Sequence, residues 1–224
     1  MSNTTFAPMQ TITSGNCKVT YIPDGGAYIA SGAMYPTSDA EGWKGYAELT
    51  DDQSRVIVSL GGFLIETGDR KILMDLGYGP YNVEFPGFGP FMGGKYLESL
   101  AATGVKPEEI TDVFYTHLHL DHVGWTSVEK DGERVLTFPN ARYMCSEAEW
   151  NFWPGDVSGL GPDPETVVKP LTGVINFVKD GEVSRVAKLP EFTKPGVIMA
   201  DGHFSNGAFG KLTVEDGKYV WTLI

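Results

Sequence analysis

Cysteine is scarce in this sequence of 224 residues: Cys17 and Cys145 are its only two. Neither belongs to a Cys-x-x-Cys pair, which argues against a thiolate zinc site or a dithiol redox motif. Two free thiols are typical of a reducing compartment. The first residues also show no basic start followed by an apolar stretch, so they do not resemble a secretory signal. We therefore expect a cytoplasmic protein.

Positive charge is also limited, because 17 Lys and Arg stand against 29 Asp and Glu and give a formal net charge of −12. This balance argues against a nucleic-acid partner and against an anionic membrane surface, since both require a basic face. No apolar run reaches the length of about 18 residues that a membrane span needs. The partner that we expect is a small-molecule substrate.

The chain does have the composition of a globular protein. Hydrophobic residues make up 42% of it, which is enough to fill a core. The 28 glycines and 14 prolines indicate many turns, and hence many short strands rather than a helical bundle. No repeat or linker interrupts the pattern, so we expect a loose arm over residues 1–16 followed by a single domain over residues 17–224.

The first half of the chain shows several local signals. Residues 18–22 suit a first strand, and residues 55–66 and 71–75 suit a hairpin that turns at 67–70. Apolar residues at helical spacing predict a helix from Tyr96 to a stop at Gly104. Pro107 begins a short helical turn, and residues 112–115 form an apolar strand. The segments 23–54 and 77–94 are rich in turn residues and are predicted as long loops.

The second half contains further turn and helix signals. Asp131-Gly132 predicts a hairpin turn, and residues 142–145 predict a strand. Ser146 and Glu149 have the spacing of a capping box and open a helix that ends at Pro154. Asp163-Pro164 is predicted to start another helix, in which Pro170 would cause a bend. Turns at 180–181 and 216–217 separate the remaining strands, predicted over 196–200, 211–215 and 219–223.

Three of the four histidines lie within six residues, in the run Thr-His-Leu-His-Leu-Asp-His at positions 116–122. Because side chains alternate along an extended chain, His117 and His119 point to the same side as the chain leaves its strand. Asp121 and His122 can then face the same cavity after the chain turns, and Gly124 leaves room for close packing. Imidazoles together with a carboxylate suit zinc, and also iron or manganese. The run therefore predicts a metal site.

This run, His117-x-His119-x-Asp121-His122, resembles the signature of the metallo-β-lactamase superfamily of metal-dependent hydrolases. The strand of residues 72–77, which ends in Asp75-Leu76-Gly77, is also similar to that family, and residues 138–150 are similar to its lactonase-like and esterase-like branch. The resemblance covers roughly residues 55–215. It implies an α/β fold, namely a four-layer αβ/βα sandwich with the site at one edge of two facing sheets.

The resemblance also implies a division of ligands. His117 and His119 would hold a first ion, and His203, in a Gly-His context, would be its third protein ligand. Asp121 and His122 would belong to a second ion. One or two Zn²⁺ ions are implied, with iron or manganese as alternatives. An open site with three protein ligands is typical of catalytic zinc.

The chain departs from the family pattern after His203. The family's later Gly-Asp step, which bridges the two ions, and a further histidine are both missing before Ile224, so the second ion would keep only Asp121 and His122. Asp201 is a candidate substitute for the bridge. The C-terminal portion of the usual fold thus looks incomplete. We expect either an exposed sheet edge or a homo-oligomer in which another copy completes the fold.

The leading functional prediction is hydrolysis of an ester, lactone or amide by a metal-activated water, with Asp121 orienting that water or accepting a proton. Two alternatives stay open: an iron-dependent redox member of the superfamily, and a non-catalytic form that keeps the fold and one metal. Four aromatic residues near the run could line a substrate pocket, although core packing is as plausible for them. They are Trp125, Trp150, Phe152 and Trp153.

Overall fold

The computed structural model describes residues 5–155, 158–179 and 194–224. Fourteen strands occur in these ranges, and most of them are short. They are β1 (Thr11–Ser14), β2 (Cys17–Ala30), β3 (Arg55–Thr67), β4 (Arg70–Met74), β5 (Asn82–Phe85), β6 (Gly89–Met92), β7 (Asp112–Phe114), β8 (Ser127–Lys130), β9 (Glu133–Leu136), β10 (Arg142–Ser146), β11 (Asn176–Val178), β12 (Met199–Ala200), β13 (Phe209–Glu215) and β14 (Lys218–Leu223).

The helices of the described ranges are short as well. They are α1 (Ser31–Met34), α2 (Ala40–Trp43), α3 (Tyr96–Ala102), α4 (Glu147–Phe152) and α5 (Lys169–Leu171), with 3₁₀ turns at Lys44–Leu49 and Pro107–Glu109 and a π-helical turn at Pro164–Val168. None of them is long and apolar enough to cross a membrane.

A nine-stranded mixed sheet forms the centre of the fold. Its strands follow the order β11-β10-β7-β4-β3-β2-β6-β5, and β1 pairs with β2 outside that path. The strands β4, β7, β10 and β11 run parallel to their neighbours in this part of the sheet. Those from β1 to β6 pair in antiparallel fashion. The parallel half therefore brings the ends of β4 and β7 to the same edge.

Two smaller sheets accompany the large one. The strands β8 and β9 form a hairpin, and β12, β13 and β14 form an antiparallel sheet of three strands. Phe209 of β13 packs on Phe63 of β3, with ring centroids 5.7 Å apart. This contact belongs to a buried cluster that also contains Tyr21. The small sheet thus faces the antiparallel half of the large one.

The main core lies against the parallel strands. Leu73 of β4 and Val113 of β7 are fully buried, as are Leu100 of α3, Ile110 and Tyr115. Complete burial of a side chain of this size contributes about 1.5–3 kcal/mol. Since Tyr115 directly precedes the histidine run, this core fixes the point at which the run leaves the sheet.

Many of the local predictions are confirmed. The 55–75 hairpin is β3 and β4, the helix predicted from Tyr96 is α3, and Gly104 follows it with a φ of 84°. The turn at 131–132 joins β8 and β9, and the turn at 216–217 joins β13 and β14. Ser146 Oγ accepts a hydrogen bond from Glu149 N at 3.1 Å, as the capping box requires.

The segments predicted as irregular differ most from the structure. The strand predicted over 18–22 extends through the glycines to Ala30, and the predicted 77–94 loop contains the hairpin of β5 and β6. Gly25 and Gly26 fall in the segment predicted as a long loop, but a Cβ on Gly25 would lie 2.0 Å from the carbonyl oxygen of Met92. These glycines therefore serve close strand packing rather than a turn.

Two predicted segments agree with the structure only in part. In the predicted loose arm, residues 11–14 form β1, and Ala7 is buried. The helix predicted from Asp163 starts as a π-helical turn and becomes α5 close to Pro170, where the ladder of hydrogen bonds is interrupted. The turn predicted at 180–181 lies outside the described residues.

Candidate metal centre

The histidine run begins where β7 ends, beside the end of β4. The register pairs Met74 with Phe114, so Asp75 lies next to the residues that follow β7. The Asp75 carboxylate accepts hydrogen bonds from Thr116 N at 2.8 Å and from Thr116 Oγ1 at 2.7 Å. Asp75 has a φ of 58°, a conformation that Asp and Asn tolerate better than most residues. These two bonds join the strand ends at the site.

Asp75 also holds the ring of His122. Its Oδ2 lies 2.9 Å from His122 Nδ1, which is an ion-pair distance although the angle is not that of a hydrogen bond. Burial opposes protonation of His122, but Asp75, Asp121 and Asp201 outweigh it and raise the pKa of the imidazole above its ordinary value. With a proton on Nδ1 facing Asp75, the Nε2 atom of a neutral His122 carries the lone pair.

His203 reaches the same place from the other end of the chain. Its Nδ1 lies 3.1 Å from the carbonyl oxygen of Ser59, and Ser59 N donates to the carbonyl oxygen of His203 at 3.0 Å. Asp201 Oδ1 accepts from His203 N at 2.8 Å, and Tyr21 donates to the Gly202 carbonyl at 3.2 Å. A carbonyl oxygen can only accept, so Nδ1 of His203 carries the proton and Nε2 is free.

The free nitrogens of these two histidines meet. Nε2 of His203 lies 3.2 Å from Nε2 of His122. Oδ2 of Asp121 lies 3.7 Å from the His122 nitrogen and 4.0 Å from the His203 nitrogen. The ligand atoms of the three residues are all within 4.8 Å of one another. Two lone pairs and a carboxylate at such distances repel each other unless a proton or a cation lies between them. This donor set fits a divalent metal ion.

His117 and His119 lie beside this cluster. The ring of His117 is 3.8 Å from that of His122 and 4.7 Å from that of His119, measured between centroids. His117 Nδ1 is 3.0 Å from Thr116 Oγ1, whose own proton goes to Asp75, so Nδ1–H donates and Nε2 is free. Burial, together with the neighbouring His122 and His119, lowers the pKa of His117 to about 4. It is therefore neutral at pH 7 and able to act as a ligand.

The start of the run is held by helix α4. Glu149 Oε1 accepts from Leu118 N at 2.8 Å and from Trp153 Nε1 at 2.7 Å. The Trp153 ring lies edge-on to His119, with centroids 5.1 Å apart. One carboxylate thus fixes both the backbone between the two first histidines and the aromatic ring that contacts the second.

The turn after the run packs closely on the segment that follows β4. Gly124 N donates to the Gly77 carbonyl at 2.8 Å. A Cβ on Gly124 would lie 1.9 Å from the carbonyl carbon of Tyr78, so a larger residue would push the two segments apart. Gly124 therefore leaves room for close packing at this point, as its small size predicts.

All five predicted ligands are brought together, but with a different grouping from the one that the resemblance implies. The tightest trio is Asp121, His122 and His203, whereas the resemblance assigns His203 to the ion of His117 and His119. Asp201 bonds to the backbone of His203 rather than bridging the trio. Its carboxylate is nevertheless close enough to raise the pKa of His122.

The four aromatic residues predicted for a pocket divide into two pairs. Trp150 and Trp153 line a cavity of about 670 Å³ next to the run. Trp125 is instead buried in the core and donates to Asp24 at 3.0 Å, and Phe152 is 69% exposed. Neither of these two lines the large cavity or a second one of about 180 Å³ that borders Asp121 and His203. We assign Trp125 to the core and Phe152 to the surface.

Three residues around the site have roles that the sequence did not reveal. The sequence indicates Asp75 only as the end of a strand that is similar to the family, and it predicts no link between the histidines and Ser59 or Glu149. Ser59 and Glu149 act on residues far away in sequence, so no local spacing points to them. Asp75 could have been found, because a carboxylate at the end of a strand parallel to the histidine strand must lie at the same edge.

Comparison with known proteins identifies the family of this chain. The model of the metallo-beta-lactamase superfamily matches residues 62–205, which is more than half of the chain and includes all five candidate ligands. The protein belongs to the metallo-beta-lactamase superfamily.

Several relatives are similar over part or all of the chain. Metallo-beta-lactamase domain-containing protein 1 of Mus musculus is 42% identical over 57 residues, which are 25% of this chain and 21% of that protein. The match thus spans about a fifth of that relative's length.

Among solved structures, AidC, a dizinc quorum-quenching lactonase, has a TM-score of 0.77 and 16% identity over 100% of this chain and 99% of its own. The hydrolase AbOPH has a TM-score of 0.74 and 21% identity over 97% of this chain and 98% of its own. At these identities the two structures show a shared fold.

Proposed function

We propose that this protein is a metal-dependent hydrolase that cleaves an ester, lactone or amide bond. One observation carries the proposal: in His117, His122 and His203 the Nδ1 atom faces an oxygen of the protein, which leaves Nε2 of each ring free. This arrangement is typical of metal-ligating histidines, whose second nitrogen is held by a carboxylate or a carbonyl. When bound, a divalent ion such as Zn²⁺ lowers the pKa of a bound water and polarises a carbonyl group.

The protein's own residues would supply the remaining chemistry. Asp121 is only partly buried, and its carboxylate faces the free nitrogens of His122 and His203. In that position it can orient a water molecule or accept its proton. Tyr78 is a further polar group at this place: burial, then Asp121 and Tyr81, raise its pKa to about 12, so it stays protonated and able to donate.

The ligands that we propose are His117, His119, His203, Asp121 and His122, for one or two ions. Two divisions of these residues are distinguishable. If His203 shares an ion with His117 and His119, the His117→Ala substitution weakens that ion's binding about as much as His203→Ala does. If His203 serves the trio with Asp121 and His122, His117→Ala leaves the tightest ion in place. Elemental analysis and chelator competition on the two variants decide between these outcomes.

The activity itself is tested with chromogenic esters and lactones. Protein loaded with Zn²⁺ should hydrolyse at least one of them, and a strong chelator should abolish the activity. Asp121→Asn should lower kcat/KM about 100-fold or more. Asp131→Asn is the matched control, because Asp131 is an exposed turn residue of β8–β9 at a φ that Asn tolerates. Hydrolysis that is equal with and without chelator would contradict the proposal.

The metal content of the purified protein separates the other two possibilities. Iron in place of zinc, together with redox activity, would support a redox member of the superfamily. Less than about half an equivalent of any metal, without hydrolysis, would indicate a non-catalytic form.

A further inference from the structure

A small cavity of about 180 Å³ borders the candidate metal centre directly, since Asp121 and His203 are part of its wall. Nine of its eleven lining residues are apolar, and the other two are these candidate ligands. We call it the phenylalanine pocket, because Phe85, Phe88 and Phe91 form one side of it. A pocket of this composition holds an apolar group and orients it by the few polar atoms at one end.

The phenylalanine side of the pocket comes from the β5–β6 hairpin. Phe85 and Phe91 pack edge to face with centroids 5.1 Å apart, and Phe91 is 9% exposed. Phe88 stands at the rim and is 38% exposed. The tip of the hairpin is fixed to the end of β2, because Ala30 N donates to the Phe88 carbonyl at 2.7 Å. The wall is therefore formed before any ligand binds.

A glycine allows this close attachment. Gly89 has a φ of 129°, and a Cβ on it would lie 2.1 Å from the carbonyl oxygen of Tyr28. The opposite side of the pocket is given by β2 and β3, where Val58 and Leu60 are 4% and 0% exposed. Both sides of the pocket thus rest on the central sheet, so its width is set by the fold.

The size of the pocket limits what it can hold. At about 30 Å³ for each water-sized group, 180 Å³ corresponds to about six such groups. A single aromatic ring or a chain of about six carbons fits, and a two-ring or long-chain group does not. The lining also favours uncharged groups, because nine of the eleven residues that form the pocket are apolar. A carboxylate or phosphate inside it would lose its water without gaining polar partners along most of the wall.

We propose that the phenylalanine pocket selects uncharged esters or lactones whose carbonyl carbon carries a compact apolar group of up to about six carbons. This inference rests on the proposed hydrolase function and specifies its substrate class. Phe88 is the specificity-determining residue, because it closes the pocket at the rim. Phe85 and Phe91 form the wall behind it.

The first test measures kcat/KM for p-nitrophenyl acetate, butyrate, hexanoate and decanoate, and for the anionic succinate monoester. Each methylene up to hexanoate should raise kcat/KM about fourfold, the equivalent of a buried methylene, and decanoate should fall below hexanoate. The succinate monoester should be at least about 100-fold slower than butyrate. A flat series, or equal turnover of the succinate ester, would overturn the proposal.

The variant Phe88→Ala should open the rim. Relative to the wild type, kcat/KM for the decanoate ester divided by kcat/KM for the butyrate ester should rise about tenfold or more in this variant. Phe152→Ala is the matched control, because Phe152 is exposed and lines neither described cavity. Should Phe88→Ala fail to fold, Phe88→Leu provides a smaller enlargement with the same expected direction. An unchanged ratio in a folded variant contradicts the role of Phe88.

A binding experiment on the metal-free protein is independent of the hydrolase proposal. NMR titration should show benzyl alcohol shifting the resonances of Phe85, Phe88 and Phe91, with 1-naphthalenemethanol binding at least about fivefold more weakly. Phe88→Ala should remove that difference. Binding without hydrolysis on any ester would refute the proposed function but keep the pocket. If the protein hydrolysed esters but neither the ester series nor the NMR titration showed selection by size, the proposed role of the phenylalanine pocket would be refuted.

Discussion

Ser59 and His203, 144 residues apart, bond to each other twice: Ser59 N donates to the His203 carbonyl at 3.0 Å, and His203 Nδ1 donates to the Ser59 carbonyl at 3.1 Å. Ser59 is fully buried, and its hydroxyl donates to Phe204 O at 2.7 Å and accepts from Ala7 N at 2.8 Å. The central strand β3 therefore fixes both the position and the tautomer of the last candidate ligand.

Replacing Ser59 by alanine should weaken metal binding although Ser59 is not itself a ligand. The substitution keeps the backbone bonds but frees the Phe204 carbonyl and Ala7 N, so the 203–205 segment is held less firmly. We expect a loss of metal affinity of about 10–100-fold, as for other residues that orient a ligand. Competition with a chromogenic chelator measures it.

The control for this prediction is Ser99→Ala. Ser99 also donates its hydroxyl to a backbone carbonyl, that of Pro23 at 2.7 Å, but it lies on α3. Its replacement should lower stability by about 1 kcal/mol and leave metal affinity unchanged. Equal affinities in wild type and Ser59→Ala would show that the segment of His203 is positioned by other contacts.

Asp75→Asn should lower the pKa of His122. The carboxylate of Asp75 is the strongest of the groups that raise this pKa, so a neutral amide leaves the effect of burial opposed by Asp121 and Asp201 alone. Asparagine tolerates the φ of 58° at this position, and the backbone is expected to remain in place. NMR titration of the imidazole protons in metal-free protein gives the pKa. The control is Asp69→Asn, in the exposed turn between β3 and β4. If the pKa of His122 were the same in the wild type, in Asp75→Asn and in Asp69→Asn, the role of Asp75 would be contradicted.

Trp153 should report on metal binding at His119. The two rings lie edge to face with centroids 5.1 Å apart, so a cation on His119 changes the surroundings of the indole. We expect Zn²⁺ to change the tryptophan fluorescence of the wild type, and Trp153→Phe to remove most of that change. Trp43→Phe, in α2, should retain it. A full signal that persists in Trp153→Phe would contradict the assignment of Trp153 as the reporter.

The ion pairs of Asp112 should make stability depend on acid pH. Burial acts to raise the pKa of Asp112, but Arg70, Thr111 and Arg142 outweigh it and lower the pKa below the ordinary value. Because the pKa of Asp112 is lowered in the folded state, its ion pairs stabilise the protein fully above the unfolded-state pKa of about 3.9. This stabilisation is lost as pH falls through the folded-state pKa.

Urea unfolding of Asp112→Asn tests this dependence. At pH 7 the variant should be less stable by about 1–2 kcal/mol, because both arginines are partly exposed and regain water. The difference in unfolding free energy between the wild type and Asp112→Asn should become smaller as pH falls below about 4. Glu165→Gln, which breaks an exposed pair with Lys169, should change stability by less than about 0.5 kcal/mol at either pH. A gap that stays constant with pH would contradict the ion-pair explanation.

The sequence predicts the parts of this molecule that depend on local chemistry. The turn at Asp131-Gly132, the cap at Ser146 and the hairpin of β3 and β4 each follow from residues that are close in sequence. The histidine run itself predicts a metal site because its spacing acts within one short segment.

What the sequence does not predict depends on distant contacts. Gly25 and Gly26 look like loop residues, and only the approach of Met92 shows why a strand needs them. The wall formed by Phe85 and Phe91 required the hairpin in the predicted 77–94 loop. Likewise, the pairing of His203 with His122 depends on how β3 holds a segment that lies 81 residues after His122.

Asp24 has a consequence for how the protein is made. It lies at the bulge of β2, and its fully buried carboxylate accepts five backbone N–H groups from residues 78–96 and the indole N–H of Trp125. On the ribosome this strand emerges long before its last donor, which is 101 residues away. The backbone donors are all synthesised by residue 96, but until Trp125 follows, the carboxylate lacks its last donor and the loops around the histidines have no common anchor. Completion of the metal centre is thus expected late in folding, once the histidine run itself has left the ribosome.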